Sequence, residues 1–154
     1  MGQPDFRNLL AFLEETPEFI RSLTENLTAS ALRQKPDPEE FSFLQHVCHL
    51  RDIEQEGYCV RIARILSEER PVLANIDGDA LAAERNYNSE AFAEALKAFT
   101  RARRNNIEAI KTSPPDQLNR TGIFDGAATT LEQLLVMMQE HDVAHRRALS
   151  NLRS

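Results

Sequence analysis

With 154 residues, 42% of them hydrophobic and 27% charged, the chain is long enough to bury one continuous core without disulfides, and a single domain over 1–154 is expected. A formal net charge of −6 leaves no basic footprint for nucleic acid. No apolar run approaches the roughly 18–20 residues that a membrane-spanning helix needs, so neither nucleic acid nor membrane is expected as a partner.

The opening segment, MGQPDFRNLLAFLEE, lacks the basic and uninterrupted apolar regions of a secretory signal, and Phe6 stands where a myristoylation motif needs Ser or Thr. The only cysteines are Cys48 and Cys59. On one helix they would lie about 16 Å apart at ~1.5 Å per residue, beyond the ~7 Å reach of a disulfide. They read as free thiols and small core residues, and the protein as cytoplasmic.

Helical periodicity recurs in four segments, and no β-branched run alternates over five residues, so the expected class is all-α. The first helix is expected over Asp5–Leu27, kinked or broken at Thr16-Pro17, where Thr16 can cap a fresh turn. A loop over Arg33–Glu40 holds Pro36 and Pro38. Ser42 with Gln45 then forms a capping box that opens helix two, Phe43–Glu69, stopped by Pro71. Residues 70–88 make a long crossover with Asp77-Gly78 as its turn signal. Ser89 is expected to cap helix three, Glu90–Thr112, ahead of Pro114-Pro115. Arg101, Arg103 and Arg104 read as a solvated face of that helix, paired with the surplus acids. After a loop over 113–128, Thr129 with Glu132 suggests a second capping box, and helix four runs over Thr130–Leu152.

All four histidines fall into two helical clusters, His46 and His49 in QHVCHLRD and His141 and His145 in QEHDVAHRR. Leu131, Leu134, Met138, His141, His145, Ala148 and Leu152 follow one another at gaps of three and four, placing both late histidines on the apolar stripe of helix four. Two imidazoles one turn apart can hold a single metal ion, which satisfies nitrogens whose burial otherwise costs on the order of 1–3 kcal/mol each. Helix two offers His49 or His46 as a third ligand, one of the two, because positions three apart diverge around the helix. The stripe through His49 continues with Ile53, Glu56 and Val60, and Asp52 flanks it. Asp52 and Glu56 are thus candidates for catalytic proton transfer, for orienting a ligand, or for plain ion pairs.

The segments FSFLQHVCHLRDIE, IDGDALAAERNYNSEAFAEALKAFTRAR and GAATTLEQLLVMMQEHDVAHRRAL together resemble the DinB-like superfamily, which includes the YfiT-like metal-dependent hydrolases. The likeness spans nearly the whole chain. It implies a four-helix bundle of unusual order, with the long crossover between helices two and three. It also implies a divalent metal on His49, His141 and His145, since the family's helix-two histidine is followed by Leu and then an acid, as in His49-Leu50-Arg51-Asp52. Members are often homodimers, and some are transferases or isomerases that use low-molecular-weight thiols such as bacillithiol, mycothiol or glutathione.

Three imidazoles leave coordination positions open, and such a donor set suits Zn or Ni, then Fe or Cu, over Mg or Ca. The expected function is metal-dependent hydrolysis or thiol transfer on a small molecule; the alternative is a stress-response bundle whose metal is structural. Arg85, Asn86 and Tyr87 in the crossover either approach the open side of the metal or anchor the loop by ion pairs.

Overall fold

The computed structural model describes the backbone of residues 3–153 and the side chains of residues 5–153. Four long helical stretches form the bundle: α1 (Gln3–Leu23); α3 (Phe43–Asp52), prolonged by a π-helical segment (Ile53–Tyr58) and α4 (Cys59–Ser67); α6 (Phe92–Lys111); and α7 (Leu131–Arg153). The α1 and α3 helices each pack on both α6 and α7. Two short helices, α2 (Ala29–Arg33) and α5 (Gly78–Glu84), lie in the connections.

Local chemistry explains most boundaries. Ser42 and Gln45 form the reciprocal capping box that opens α3. The box on α7 is made by Thr130 and Gln133, one residue later than the expected Thr129 and Glu132. Asp77 caps α5 through the Ala80 amide, so Asp77-Gly78 begins a helix inside the connection instead of turning a loop. Ser89 does not cap α6: it sits in a 3₁₀ turn (Tyr87–Ser89), and Ala91 precedes α6 without a side-chain cap.

Two expectations are corrected by tertiary partners. The α1 helix runs through Pro17 without a break. Proline removes the amide that would bond the carbonyl four residues earlier, but that carbonyl, on Leu13, accepts a hydrogen bond from Arg103 Nη1 at 2.8 Å. Strands are also present: β1 (Val72–Leu73) pairs parallel with β2 (Thr121–Phe124), which pairs antiparallel with β3 (Ala127–Thr130). The two-residue turn of this hairpin is Asp125-Gly126, with φ of 52° and 77°, the conformation that favours Asp-Gly in tight hairpins. Such short strands show no alternation, and the dipeptide was their one sequence signal.

Two apolar clusters fill the bundle. One gathers Leu13, Ile65, Leu131, Leu134, Leu135 and Met138; the other gathers Ile20, Leu44, Val47, Phe99 and Leu149. On α7, Leu149 carries the stripe into the second cluster, while Leu152, expected in the core, is only partly buried.

Between the clusters lies a polar layer. Arg103, expected on a solvated face, is 2% exposed, and its partners Glu54 and Asp142 are 1% and 0% exposed. All five of its N–H donors are used: Nε and Nη2 donate to Glu54, Nη1 and Nη2 to Asp142, and Nη1 also to Leu13 O. Asn106 donates a further bond to Glu54, and the Thr16 hydroxyl one to Asp142 at 2.6 Å. Although burial disfavours its charge, the paired carboxylates hold the Arg103 guanidinium above its ordinary pKa.

Arg103→Met should therefore strand two buried carboxylates and cost about 3–5 kcal/mol in urea unfolding followed by circular dichroism. Arg104→Met, at an exposed position on the same helix, should change stability by no more than about 0.5 kcal/mol.

Candidate metal centre

The α3 and α7 helices pack with their histidines facing each other. One ring nitrogen each of His49, His141 and His145 lies within 4.8 Å of the other two. His49 is buried, whereas His141 and His145 are half-buried at the edge of the α7 core stripe. His46 stands behind this group: its Nδ1 is 2.9 Å from His145 Nδ1, while His145 Nε2 faces His141 Nε2 at 3.2 Å. If His145 Nδ1 donates to His46, its Nε2 lone pair is free and fixed in direction. His49 Nδ1 is the one buried side-chain nitrogen or oxygen without a hydrogen-bond partner among the described residues.

The donor set fits a divalent transition metal. A tetrahedral ion with Zn–N bonds of ~2.0–2.1 Å needs nitrogens ~3.4 Å apart, and the 3.2 Å between the Nε2 atoms of His141 and His145 is already close. An ion would also satisfy the lone His49 nitrogen and, in the tautomers that leave both facing Nε2 atoms of His141 and His145 unprotonated, their two lone pairs, each costly to leave unpaired in a dry interior. Burial keeps the rings in the neutral form that binds metal. It lowers His46 and His49 to about 4 and His145 to about 2, with nearby imidazoles adding to the effect, and it lowers His141 as well.

The π-helical segment sets what surrounds these rings. Its wider turn shifts the register, so the expected stripe through Ile53, Glu56 and Val60 is not the inward one. Glu54, Tyr58, Arg61 and Ile62 point inward instead, with Glu56 exposed and Val60 47% exposed. Glu54 thereby reaches Arg103, and Tyr58 stands 6.4 Å from the His141 ring.

Asp52 and Glu56 are both engaged by the crossover. Arg85 bonds Glu56 bidentately and Asp52 at 2.8 Å, the Tyr87 hydroxyl donates to Asp52, and Arg51 bridges Asp52 and Glu90. Burial pushes the Asp52 carboxyl up, but the bonds from Arg51, Tyr87 and Arg85 outweigh it and hold the pKa below the ordinary value. The structure thus places Asp52 as a fixed anion in an ion-pair network, and Arg85 and Tyr87 as the anchors of the loop. Cys48 is buried, its thiol pushed up to about 12 chiefly by desolvation, whereas Cys59, expected in the core, is exposed.

A cleft of about 730 Å³ opens on His49 and His141, bounded by Tyr58, Arg61, Phe124 and residues 75–79. Gly78 makes this closeness possible, since a Cβ there would come within 2.5 Å of His49 Cε1. Sequence reasoning missed Tyr58, Arg61 and Phe124, because the π-turn and the hairpin that deliver them leave no periodic signal, and it read Gly78, the first residue of α5, only as part of a turn.

The family model of the DinB superfamily matches residues 13–149 of the chain. No curated protein matches it significantly. Among solved structures, YfiT from Bacillus subtilis, described as a probable metal-dependent hydrolase with an unusual four-helix bundle topology, superposes with a TM-score of 0.88 at 21% identity. The match covers 99% of this chain and 87% of YfiT.

Buried neutral imidazoles have a definite consequence for acid stability. The unfolded chain takes up protons near the ordinary imidazole value of about 6.5, whereas folded His46 and His49 resist until about 4. Urea midpoints of the metal-free protein should therefore fall as pH drops from 7 to 4.5; a flat profile there would mean that the rings are solvated.

Proposed function

As the chain belongs to the DinB superfamily, we propose that it is a metal-dependent enzyme, a hydrolase of a small molecule, with His49, His141 and His145 as the ligands. The observation that carries this reading is the convergence of three neutral imidazoles, two of which, His49 and His141, line an open cleft. A structural site is normally closed by four protein ligands, whereas three leave room for water or a substrate atom.

A divalent ion so held is a Lewis acid that polarises a carbonyl and acidifies water or a thiol. The chain's own residues do the rest. His46 holds His145 by its far nitrogen, as partners behind metal ligands do, and Gly78 lets α5 close over His49. Ile53, Phe124 and Met137 give the cleft apolar walls that limit water. Asp52, tied to Arg51, Arg85 and Tyr87, stiffens the segment that follows His49 and stays ionised. Glu56, partly exposed and paired with Arg85, assists proton transfer only if that pair opens.

A low-molecular-weight thiol as the activated group is a second use of the same open position. A purely structural metal is the competing reading, favoured by the way the three ligands join α3 to α7.

Untagged protein should carry about one transition-metal ion per chain by elemental mass spectrometry. His145→Ala should lose the ion while keeping its helical circular dichroism, since alanine favours helix. Hydrolysis of activated esters and amides, or transfer from bacillithiol, mycothiol or glutathione, should fall in step with occupancy. A fully loaded wild type without turnover, alongside a His145→Ala variant that loses only thermal stability, would favour the structural reading.

The role of His46 is separately testable. His46→Phe should weaken metal affinity by roughly 10–100-fold in chelator competition, with His46→Gln recovering part of the loss. Unchanged affinity in both variants would reduce His46 to packing.

A further inference from the structure

Arg61 differs from every other buried or half-buried arginine of the bundle. Every one of them donates from at least one Nη group: Arg103 to Glu54, Asp142 and Leu13 O, Arg51 to Glu90, Arg64 to Val72 O, Arg85 to Glu56, Arg146 to Phe12 O and Arg120 to Glu68 O. Arg61 is 5% exposed, yet its only hydrogen bond among the described residues runs from Nε to Ala74 O at 3.2 Å. Its guanidinium lies between two rings, 4.7 Å from the Phe124 centroid and 5.2 Å from that of Tyr58. Both Nη groups are left without an acceptor, at a residue that lines the histidine cleft.

Stacking on two rings offsets only part of the cost of removing a cation from water. Burial accordingly lowers the Arg61 pKa, and the nearby acid that raises it, Asp125, forms no ion pair with it. The Tyr58 hydroxyl is in the same condition: the residue is 6% exposed, yet its hydroxyl, like the Arg61 Nη groups, has no protein partner among the described residues and meets solvent in the cleft it lines. The Tyr58 ring lies 5.2 Å from the Arg61 guanidinium carbon and 6.4 Å from the His141 ring. Two unspent donors thus share one cleft with the metal ligands.

We propose that Arg61, with the Tyr58 hydroxyl beside it, binds a carboxylate of the small-molecule substrate whose reacting end lies at the three histidines. The proposal rests on the metal-centre reading above. A guanidinium fork matches a planar carboxylate bidentately. Asp77, Asp79 and Asp125 also line the cleft, and their charge opposes a dianion such as a phosphate monoester about twice as strongly as a monoanion, so the single guanidinium is matched to one carboxylate. The substrate class is therefore a small carboxylic acid with its scissile or metal-binding group at the other end.

The test uses the cobalt(II)-loaded protein, whose ligand-field bands report the metal site and whose sulfur-to-cobalt charge-transfer band reports thiolate binding. Mercaptoalkanoates of increasing chain length are titrated against the matching mercaptoalkanols. The wild type should bind at least one mercaptoalkanoate ~10-fold or more tightly than its neutral partner, as expected for a charged, desolvated bidentate pair. Arg61→Met, which keeps the apolar stem between the two rings, should erase that preference with the cobalt bands unchanged, and Arg61→Lys should retain part of it. Equal binding of the two series by the wild type, or a preference that persists in Arg61→Met, would overturn the assignment while leaving the metal centre standing. Absence of cobalt bands before any thiol is added would instead remove the metal centre and this proposal with it. Should Arg61→Met fail to fold, the wild-type comparison and Arg61→Lys decide the matter.

Discussion

One buried ion-pair layer sets the geometry of this bundle. Arg103 on α6 reaches Glu54 in the π-helical segment, Asp142 on α7 and the Leu13 carbonyl on α1, so a single side chain touches all four helical stretches. Hydrophobic burial is non-directional and tolerates sliding or rotation of helices at small cost. A guanidinium whose five donors are all used does not. Rotating α7 or shifting α3 by a residue would leave a charge unpaired in a dry core, at a cost of several kcal/mol.

The histidines inherit this constraint. Asp142 follows His141 directly, so fixing the carboxylate fixes the azimuth at which His141 and His145 leave α7. On the facing stretch, the π-turn lets Glu54 point to Arg103 while His49, one turn earlier, points to α7. The polar layer and the histidine cluster are thus two faces of one register. The same register carries Tyr58 and Arg61 to the cleft wall, next to residues 75–79 and the Phe124 end of the small sheet. Burial then keeps the imidazoles neutral, the form that offers lone pairs to an ion.

Much of this was legible in the sequence where the signal is local. The period of the apolar residues marked four long helical stretches, the Ser42 box marked the start of α3, and the pairing of HVCH with HDVAH marked the two halves of the histidine cluster. Features set by tertiary partners were not legible. Pro17 reads as a break until a guanidinium from another helix takes the freed carbonyl. Arg103 reads as surface because two charged neighbours are, and nothing local shows its buried acids. The π-turn has no residue code, so the inward stripe beyond His49 was extrapolated at the α-helical period and pointed to Glu56 and Val60 in place of Glu54, Tyr58 and Arg61. The hairpin strands were too short to alternate, and Asp125-Gly126 alone announced them.

A register of α3 and α7 that sets His49, His141 and His145 around one point, with His46 behind them, is what a single shared ion requires. Anomalous diffraction at the absorption edge of the bound metal, on crystals of untagged protein, tests it most directly. One anomalous peak per chain is expected, about 2.0–2.2 Å from a nitrogen of each of the three histidines, with His46 contacting His145 and not the ion. A peak coordinated by His46 in place of His49, or a fully occupied metal elsewhere in the chain with none at the histidines, would contradict it.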